Sequence, residues 1–86
     1  MNSKRVVYDV FKVDYDHEGK REYKFLEKVD DTTLFSNDAV IYLIGKGYLE
    51  PQDLPFVEVN QPKKTENVFN IIHADTNALI FRIEST

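Results

Sequence analysis

The sequence predicts an α+β domain, in which one helix packs on one face of a mostly antiparallel sheet and the elements follow the order ββαβββ. Three observations predict this class. Apolar side chains alternate with a period of two in several segments, one apolar run has the start and stop signals of a helix, and turn residues separate the segments. Because 86 residues leave room for one hydrophobic core, residues 1–86 are expected to form a single small globular domain.

The first two strands are predicted to form a hairpin within residues 1–29. Residues 6–15 alternate but are apolar on both faces, with Val6, Tyr8 and Val10 on one face and Val7, Phe11, Val13 and Tyr15 on the other. This pattern indicates either a strand with neighbours and cover, or a bulge near Val10 and Phe11 that switches the buried face. Gly19 permits the turn that follows. On the return strand, residues 21–29, Tyr23, Phe25 and Val29 are expected to share one face.

Residues 39–44 are predicted to belong to a helix of about ten residues rather than to a buried strand. Ser36 or Asn37 supplies the N-cap, and Gly47 supplies a left-handed C-cap just after Lys46. Val40, Leu43 and Ile44 share a stripe at helical spacing, and this stripe is expected to pack on the sheet.

The second half of the chain is predicted to contain three strands. Pro51 and Pro55 prevent a continued helix, so residues 48–55 are expected to form a loop or a single turn of 3₁₀ helix. Strands are predicted over residues 56–60, 67–75 and 78–84, with Asn77 as the left-handed residue of a tight hairpin between the last two.

The negative charge of the chain is concentrated in its middle third. The formal net charge is −4, and residues 30–60 carry six acidic side chains against Lys46 alone. Such a segment repels nucleic acid and attracts a basic protein surface, although a solvated acidic face that keeps a small protein soluble is an equal alternative. The acidic side chains predicted to bind a partner are Asp30, Asp31, Asp38, Glu50, Asp53 and Glu58.

A second contact surface is predicted from the width of the sheet. One helix about 10 Å wide covers only part of a five-stranded sheet whose strands lie about 4.8 Å apart. Some apolar side chains on the opposite parity from the clearer core set are therefore expected to be exposed as an interface, unless the sheet curls and buries both faces. These side chains are Tyr8, Val10, Leu26, Val68, Ile72 and Ile80.

The sequence lacks the usual elements of catalytic or metal sites. There is no cysteine, only two histidines are present, and the three serines lie near the termini or at the helix cap. Asp14, Asp16 and Glu18 resemble the start of a calcium loop, but the position that needs a glutamate is Phe25. A polar hairpin turn is the preferred interpretation, although the sequence leaves open whether these three residues hold a cation. No enzyme activity, cofactor or resident metal is expected.

The leading hypothesis is a non-enzymatic protein-binding module whose partner has a basic surface. The most specific form of this hypothesis is an inhibitor that mimics DNA and binds a nucleic-acid enzyme. A phage or mobile element is the expected source, which is consistent with the excess of Lys over Arg. A structural or homodimeric accessory subunit is one alternative. A nucleic-acid-binding β-sheet domain is another, which the pI of about 5.0 disfavours. Without cysteine, signal peptide or long apolar run, the chain is expected to be cytoplasmic and not to bind membranes.

Overall fold

The computed structural model describes residues 7–30, 36–61 and 68–85, apart from the side chains of residues 30 and 36–38. It contains one α-helix, α1 (Ser36–Gly45), and a 3₁₀ helix at Pro51–Phe56. The strands are β1 (Val7–Tyr15), β2 (Arg21–Asp30), β3 (Val57–Asn60), β4 (Val68–His73) and β5 (Leu79–Ser85). The predicted α+β class, the ββαβββ order and the 3₁₀ turn after the helix are confirmed.

The five strands form one sheet in the order β2-β1-β5-β4-β3, and every neighbouring pair is antiparallel. The segment that contains α1 connects the two edge strands, β2 and β3. The helix packs on one face of the sheet, where Ala39, Val40 and Leu43 meet a cluster that includes Ile71 and Ile83. We call this the helix face, and we call the opposite side of the sheet the open face.

The helix face carries two residues that the sequence analysis placed on an exposed surface. Tyr8 and Val10 are 4% and 0% exposed and belong to the core under α1, so that part of the prediction is wrong. The alternation of β1 separates its two faces correctly, but apolar residues occur on both, and their number does not reveal which face the helix covers. The helix covers the Tyr8 face.

The other four residues of that predicted surface are partly buried. Leu26 and Ile80 pack against the core because each is an extra residue at a register shift, Leu26 in β2 and Ile80 in β5. Val68 and Ile72 lie on the open face, next to Asn70, and are also partly buried. None of the four is the exposed apolar side chain that the sequence predicts.

The register shift in the first hairpin lies between Val10 and Phe11, where a bulge was one of the two predicted alternatives. Leu26 has no partner residue in β1, so the side chains of β2 change faces at this point. Val29 is buried under the helix, whereas Tyr23 and Phe25 point away from it. The prediction that these three residues share one face is therefore wrong.

The turn residues agree with the sequence. Asn77 has a positive φ of 59° in the hairpin between β4 and β5, and Gly47 has a φ of +83° just after α1. The N–H of Tyr48 donates to the carbonyl of Leu43 at 3.0 Å, and that of Gly47 donates to Ile44 at 3.0 Å. These two bonds form a Schellman motif, which ends the helix as predicted. The helix begins at Ser36, and the side chains proposed to cap it lie outside the described ones.

The helices in the described ranges are short, and none has the length and apolar character needed to cross a lipid bilayer.

Candidate functional site

The open face presents a continuous row of side chains across all five strands. The residues of this row lie directly opposite one another in the pairing register: Phe25, Phe11, Arg82, Asn70 and Asn60, from β2 to β3. Residues directly opposite in antiparallel strands have Cβ atoms about 4.5–5.5 Å apart, so the row continues from strand to strand without a gap. The row runs from two aromatic rings through a guanidinium to two amides.

Aromatic side chains are concentrated on the β1–β2 side of the open face, and we call Phe11, Tyr15, Tyr23 and Phe25 the aromatic patch. Phe25 is 52% exposed, and Tyr15 and Tyr23 are each 44% exposed. Phe11 lies between its neighbours, with ring centroids 5.8 Å from Phe25 and 6.5 Å from Tyr23 in edge-to-face geometry. This arrangement holds the rings in fixed positions while leaving much of their surface to solvent.

Two arginines support the patch. The Arg82 guanidinium lies 6.0 Å from the centroid of the Tyr23 ring, which is cation–π distance. The Arg21 guanidinium, aided by Arg82, stabilises the ionised form of the Tyr23 hydroxyl and holds its pKa below the ordinary value. The hydroxyl of Tyr15 donates to the backbone carbonyl of Leu79 at 2.8 Å. The Tyr15 hydroxyl is therefore anchored, and both tyrosines have exposed rings.

The centre of the row contains polar atoms without hydrogen bonds among the described residues. Asn70 Oδ1 and Arg82 Nε are both buried and neither has a hydrogen-bond partner, although Glu84 Oε1 lies 3.3 Å from Arg82 Nε. A buried acceptor without a donor costs about 1–3 kcal/mol unless water or another molecule supplies one. The unpaired Asn70 oxygen therefore carries an energetic cost at the centre of the open face.

The open face is balanced in charge. Its described side chains include three cations and three carboxylates, and two pairs are in contact: Lys28 Nζ lies 2.8 Å from Asp9 Oδ1, and Arg82 lies beside Glu84. Arg21 lies at the β1–β2 end, and Glu58 lies on the edge strand β3. The described part of the open face therefore has no excess of either charge.

The predicted acidic surface is only partly described. Asp31 and the side chains of Asp30 and Asp38 lie outside the described residues. Asp53 Oδ2 accepts the backbone N–H of Glu50 at 3.2 Å, and Glu50 Oε2 accepts from Gln52 at 2.6 Å. These two acids therefore cap the 3₁₀ helix, and Glu58 is exposed on β3.

Two of the residues considered for metal binding or catalysis, Asp16 and His73, accept hydrogen bonds from nearby backbone N–H groups. Asp16 Oδ1 accepts the backbone N–H groups of Glu18 at 2.8 Å and Lys20 at 2.9 Å, which closes the first hairpin turn. His73 Nδ1 accepts the N–H of Asp75 at 3.3 Å, and His17 is exposed in the turn. Among the described residues, no three side chains of metal-binding type come together.

The helix face carries a polar cluster that was not predicted from the sequence. Glu27 accepts a hydrogen bond from the Tyr48 hydroxyl at 2.9 Å, and Lys46 Nζ lies 3.6 Å from its other oxygen and 5.8 Å from the Tyr42 ring centroid. Partial burial raises the pKa of Glu27, but hydrogen bonds from Tyr48 and Tyr42 outweigh it, so the net pKa lies below its ordinary value. The cluster ties the end of α1 to strand β2.

Phe11, Tyr23 and Phe25 lie on the surface, although the sequence pattern did not predict this. A usable signal was present, because the turn at residues 16–20 fixes a register in which Val13 faces Tyr23. That register groups the aromatic residues of both strands on one face. Which face lies under the helix depends on packing elsewhere in the chain.

No family model matches this chain, and no curated protein or solved structure matches it either.

Proposed function

We propose that the protein is a non-enzymatic protein-binding module of the cytoplasm, and that the open face contacts its partner. One observation carries this proposal. Three aromatic rings with exposures of 44–52% lie together on a sheet face that α1 does not cover, beside two arginines. Tyrosine and arginine are enriched among the residues that dominate binding energy at protein interfaces.

The size of the patch indicates how much of the face takes part. An aromatic side chain buries about 150–250 Å² in full, so three half-exposed rings offer about 200–400 Å². A standard interface covers about 800 Å² on each partner. The aromatic patch is therefore an anchor, and the rest of the row, with Asn70 and Asn60, supplies the polar contacts around it.

Photo-crosslinking tests this proposal. A photoreactive phenylalanine analogue replaces Phe25, or replaces Ile41, which is 62% exposed on α1, as a matched control. We expect the position 25 probe to crosslink a protein in cells of the native host, and the Phe11→Ser variant of that probe to lose the crosslink. If positions 25 and 41 capture the same proteins, the open face is not the binding surface.

The finer hypothesis is that the partner is a nucleic-acid enzyme with a basic surface, inhibited by a phage or mobile-element protein. Its support is the charge of residues 30–60, of which Glu58 is exposed at the edge of the sheet. Neutralising the six predicted acids should lower the association rate with that partner and flatten its dependence on salt. An unchanged rate and salt dependence would contradict the electrostatic part of the proposal while leaving the aromatic anchor in place.

A nucleic-acid-binding sheet is the second candidate, because Tyr23 with Arg82 above its ring is also an arrangement that stacks on bases. The negative net charge opposes it. Fluorescence anisotropy with single-stranded DNA and RNA separates the two functions. We expect no binding at physiological salt. Binding that the Phe25→Ser variant abolishes would replace the protein-binding proposal.

A further inference from the structure

Strand β2 is a long edge strand with an exposed first half. In the described part of the chain, β1 is the strand that pairs with it, and its other edge carries no partner strand. Residues 21–25 are five consecutive exposed positions. An edge strand presents free backbone N–H and C=O groups, which are a template for another strand.

Two pairs of like charges face each other within the β1–β2 hairpin. Lys24 lies directly opposite Lys12, and Glu22 lies directly opposite Asp14. Like charges directly opposite in neighbouring strands are destabilising. Along β1, Lys12 Nζ lies 3.9 Å from Asp14 Oδ1, so these two charges partly neutralise each other. Glu22 and Lys24 form no ion pair with any described residue.

We propose that β2 pairs with β2 of a second copy of this chain, antiparallel and centred on Tyr23. In this register Glu22 of each copy faces Lys24 of the other, so two opposite-charge pairs form. Arg21 of each copy faces the exposed ring of Phe25 of the other, and the two Tyr23 residues meet on the axis. The segment Arg21–Phe25 is therefore complementary to itself.

The neighbouring registers lack this complementarity. In an antiparallel pairing about a two-fold axis, the same face of both copies lies on one side of the joined sheet. Directly opposite residues must therefore come from the same face, so the axis passes between two identical residues. Moving the axis to Glu22 brings two carboxylates together, and moving it to Lys24 brings two ammonium groups together. The extra residue Leu26 then bends the strand, so pairing ends after Phe25. Charge and bulge together select one register.

The pairing does not depend on the proposed function, because the backbone edge of β2 makes the contact. Tyr23 and Phe25, which belong to the aromatic patch, meet the other copy side by side, so their outward surfaces remain on the open face of the joined sheet. An antiparallel segment of five residue pairs supplies about four to six backbone hydrogen bonds. The buried area of this contact is far below about 1,200 Å², and interfaces below that size are typical of weak and reversible association. We therefore expect a dissociation constant on the order of 100 µM. The open faces of both copies lie on the same side of the joined sheet.

Sedimentation velocity on the full chain tests the pairing, at protein concentrations from about 10 µM to about 1 mM, which bracket the expected constant. We expect a reversible shift from monomer to dimer. A wild-type protein that stays monomeric at the highest concentration overturns the proposal.

Charge swaps test the register. Glu22→Lys places the new lysine opposite Lys24 of the other copy twice, and we expect the dissociation constant to rise at least tenfold. Lys24→Glu should have the same effect, and the double variant Glu22→Lys/Lys24→Glu should return to within about threefold of wild type, because the opposite charges are restored.

Folding of the monomer gives an internal control. Within one copy, Glu22→Lys removes the repulsion with Asp14, so the variant should melt at the same temperature as wild type or higher. Weaker dimerisation of an equally stable monomer supports the β2 contact. If both single swaps leave the dissociation constant within twofold of wild type, a dimer exists through another surface and the proposed register is wrong.

Discussion

The end of α1 allows backbone strain to be measured without a change in packing. Gly47 has a φ of +83°, and a Cβ built on it meets no atom within 4 Å. Gly45, the last residue of the helix, has equally open space, and its φ is not positive. Replacing each glycine with alanine therefore makes the same chemical change in two backbone conformations, two residues apart.

The expected effects have opposite signs. At Gly47 the left-handed conformation costs a residue with a Cβ about 1–2 kcal/mol, and no clash adds to this. At Gly45 alanine is favoured over glycine by about 0.5 kcal/mol, because glycine loses more conformational entropy on folding. The two variants should differ in free energy of unfolding by about 1.5–2.5 kcal/mol.

Urea titration followed by circular dichroism measures this difference. With a slope of about 1 kcal/mol per molar urea for a chain this small, Gly47→Ala should lower the midpoint by about 1–2 M, and Gly45→Ala should raise it by about 0.5 M. Gly47→Asn should lie between wild type and Gly47→Ala, because asparagine tolerates the left-handed conformation. Equal midpoints for the two alanine variants would refute the assignment of the helix end.

Four further predictions use the same titration. Leu43→Ala should cost about 2–5 kcal/mol because Leu43 is fully buried, and a cost below 1 kcal/mol would contradict its place in the core. Lys46→Ala should cost only a few tenths of a kcal/mol, because its ion pair with Glu27 is half exposed. The pKa of Glu27 is lower in the folded state than the ordinary value of 4.5, so ionised Glu27 stabilises the fold at pH values above 4.5, and this contribution is lost as the pH falls through the folded-state pKa. Glu27→Gln should therefore make the free energy of unfolding less dependent on pH in the acid range. An unchanged pH dependence would exclude the hydrogen-bonded cluster. Phe25→Ser should cost less than about 1 kcal/mol, because the side chain is half exposed, and a larger loss would mean that Phe25 is a structural residue.

The sequence determines the turns of this fold more clearly than its faces. Gly47 and Asn77 adopt positive φ because few other residues do so at low cost, and this preference is local and readable. The face of β1 that α1 covers is decided by packing across five strands, so Tyr8 and Val10 cannot be separated from Phe11 by alternation alone. A single extra residue, Leu26, then moves Phe25 to the other side of the sheet.

The candidate site was accordingly harder to predict than the fold. Residue types that form the aromatic patch are visible in the sequence, but aromatic residues on strands are usually core residues. Their exposure follows from the bulge and from the side on which the helix packs. The acidic surface was predicted from charge, which indicates composition and not position. Glu50 and Asp53, for example, are used to cap the 3₁₀ helix.

The strand order has a consequence for folding speed. Hairpins β1–β2 and β4–β5 form between neighbouring segments, but the sheet is complete only when β1 pairs with β5, and this contact joins residues about 70 positions apart, such as Lys12 and Phe81. The loop-closure entropy must be lost before these contacts form, so folding should be slow for the size of the chain. Substitutions in the β1–β5 seam, such as Ile83→Val, should then slow refolding, whereas those in the β4–β5 turn should mainly speed unfolding.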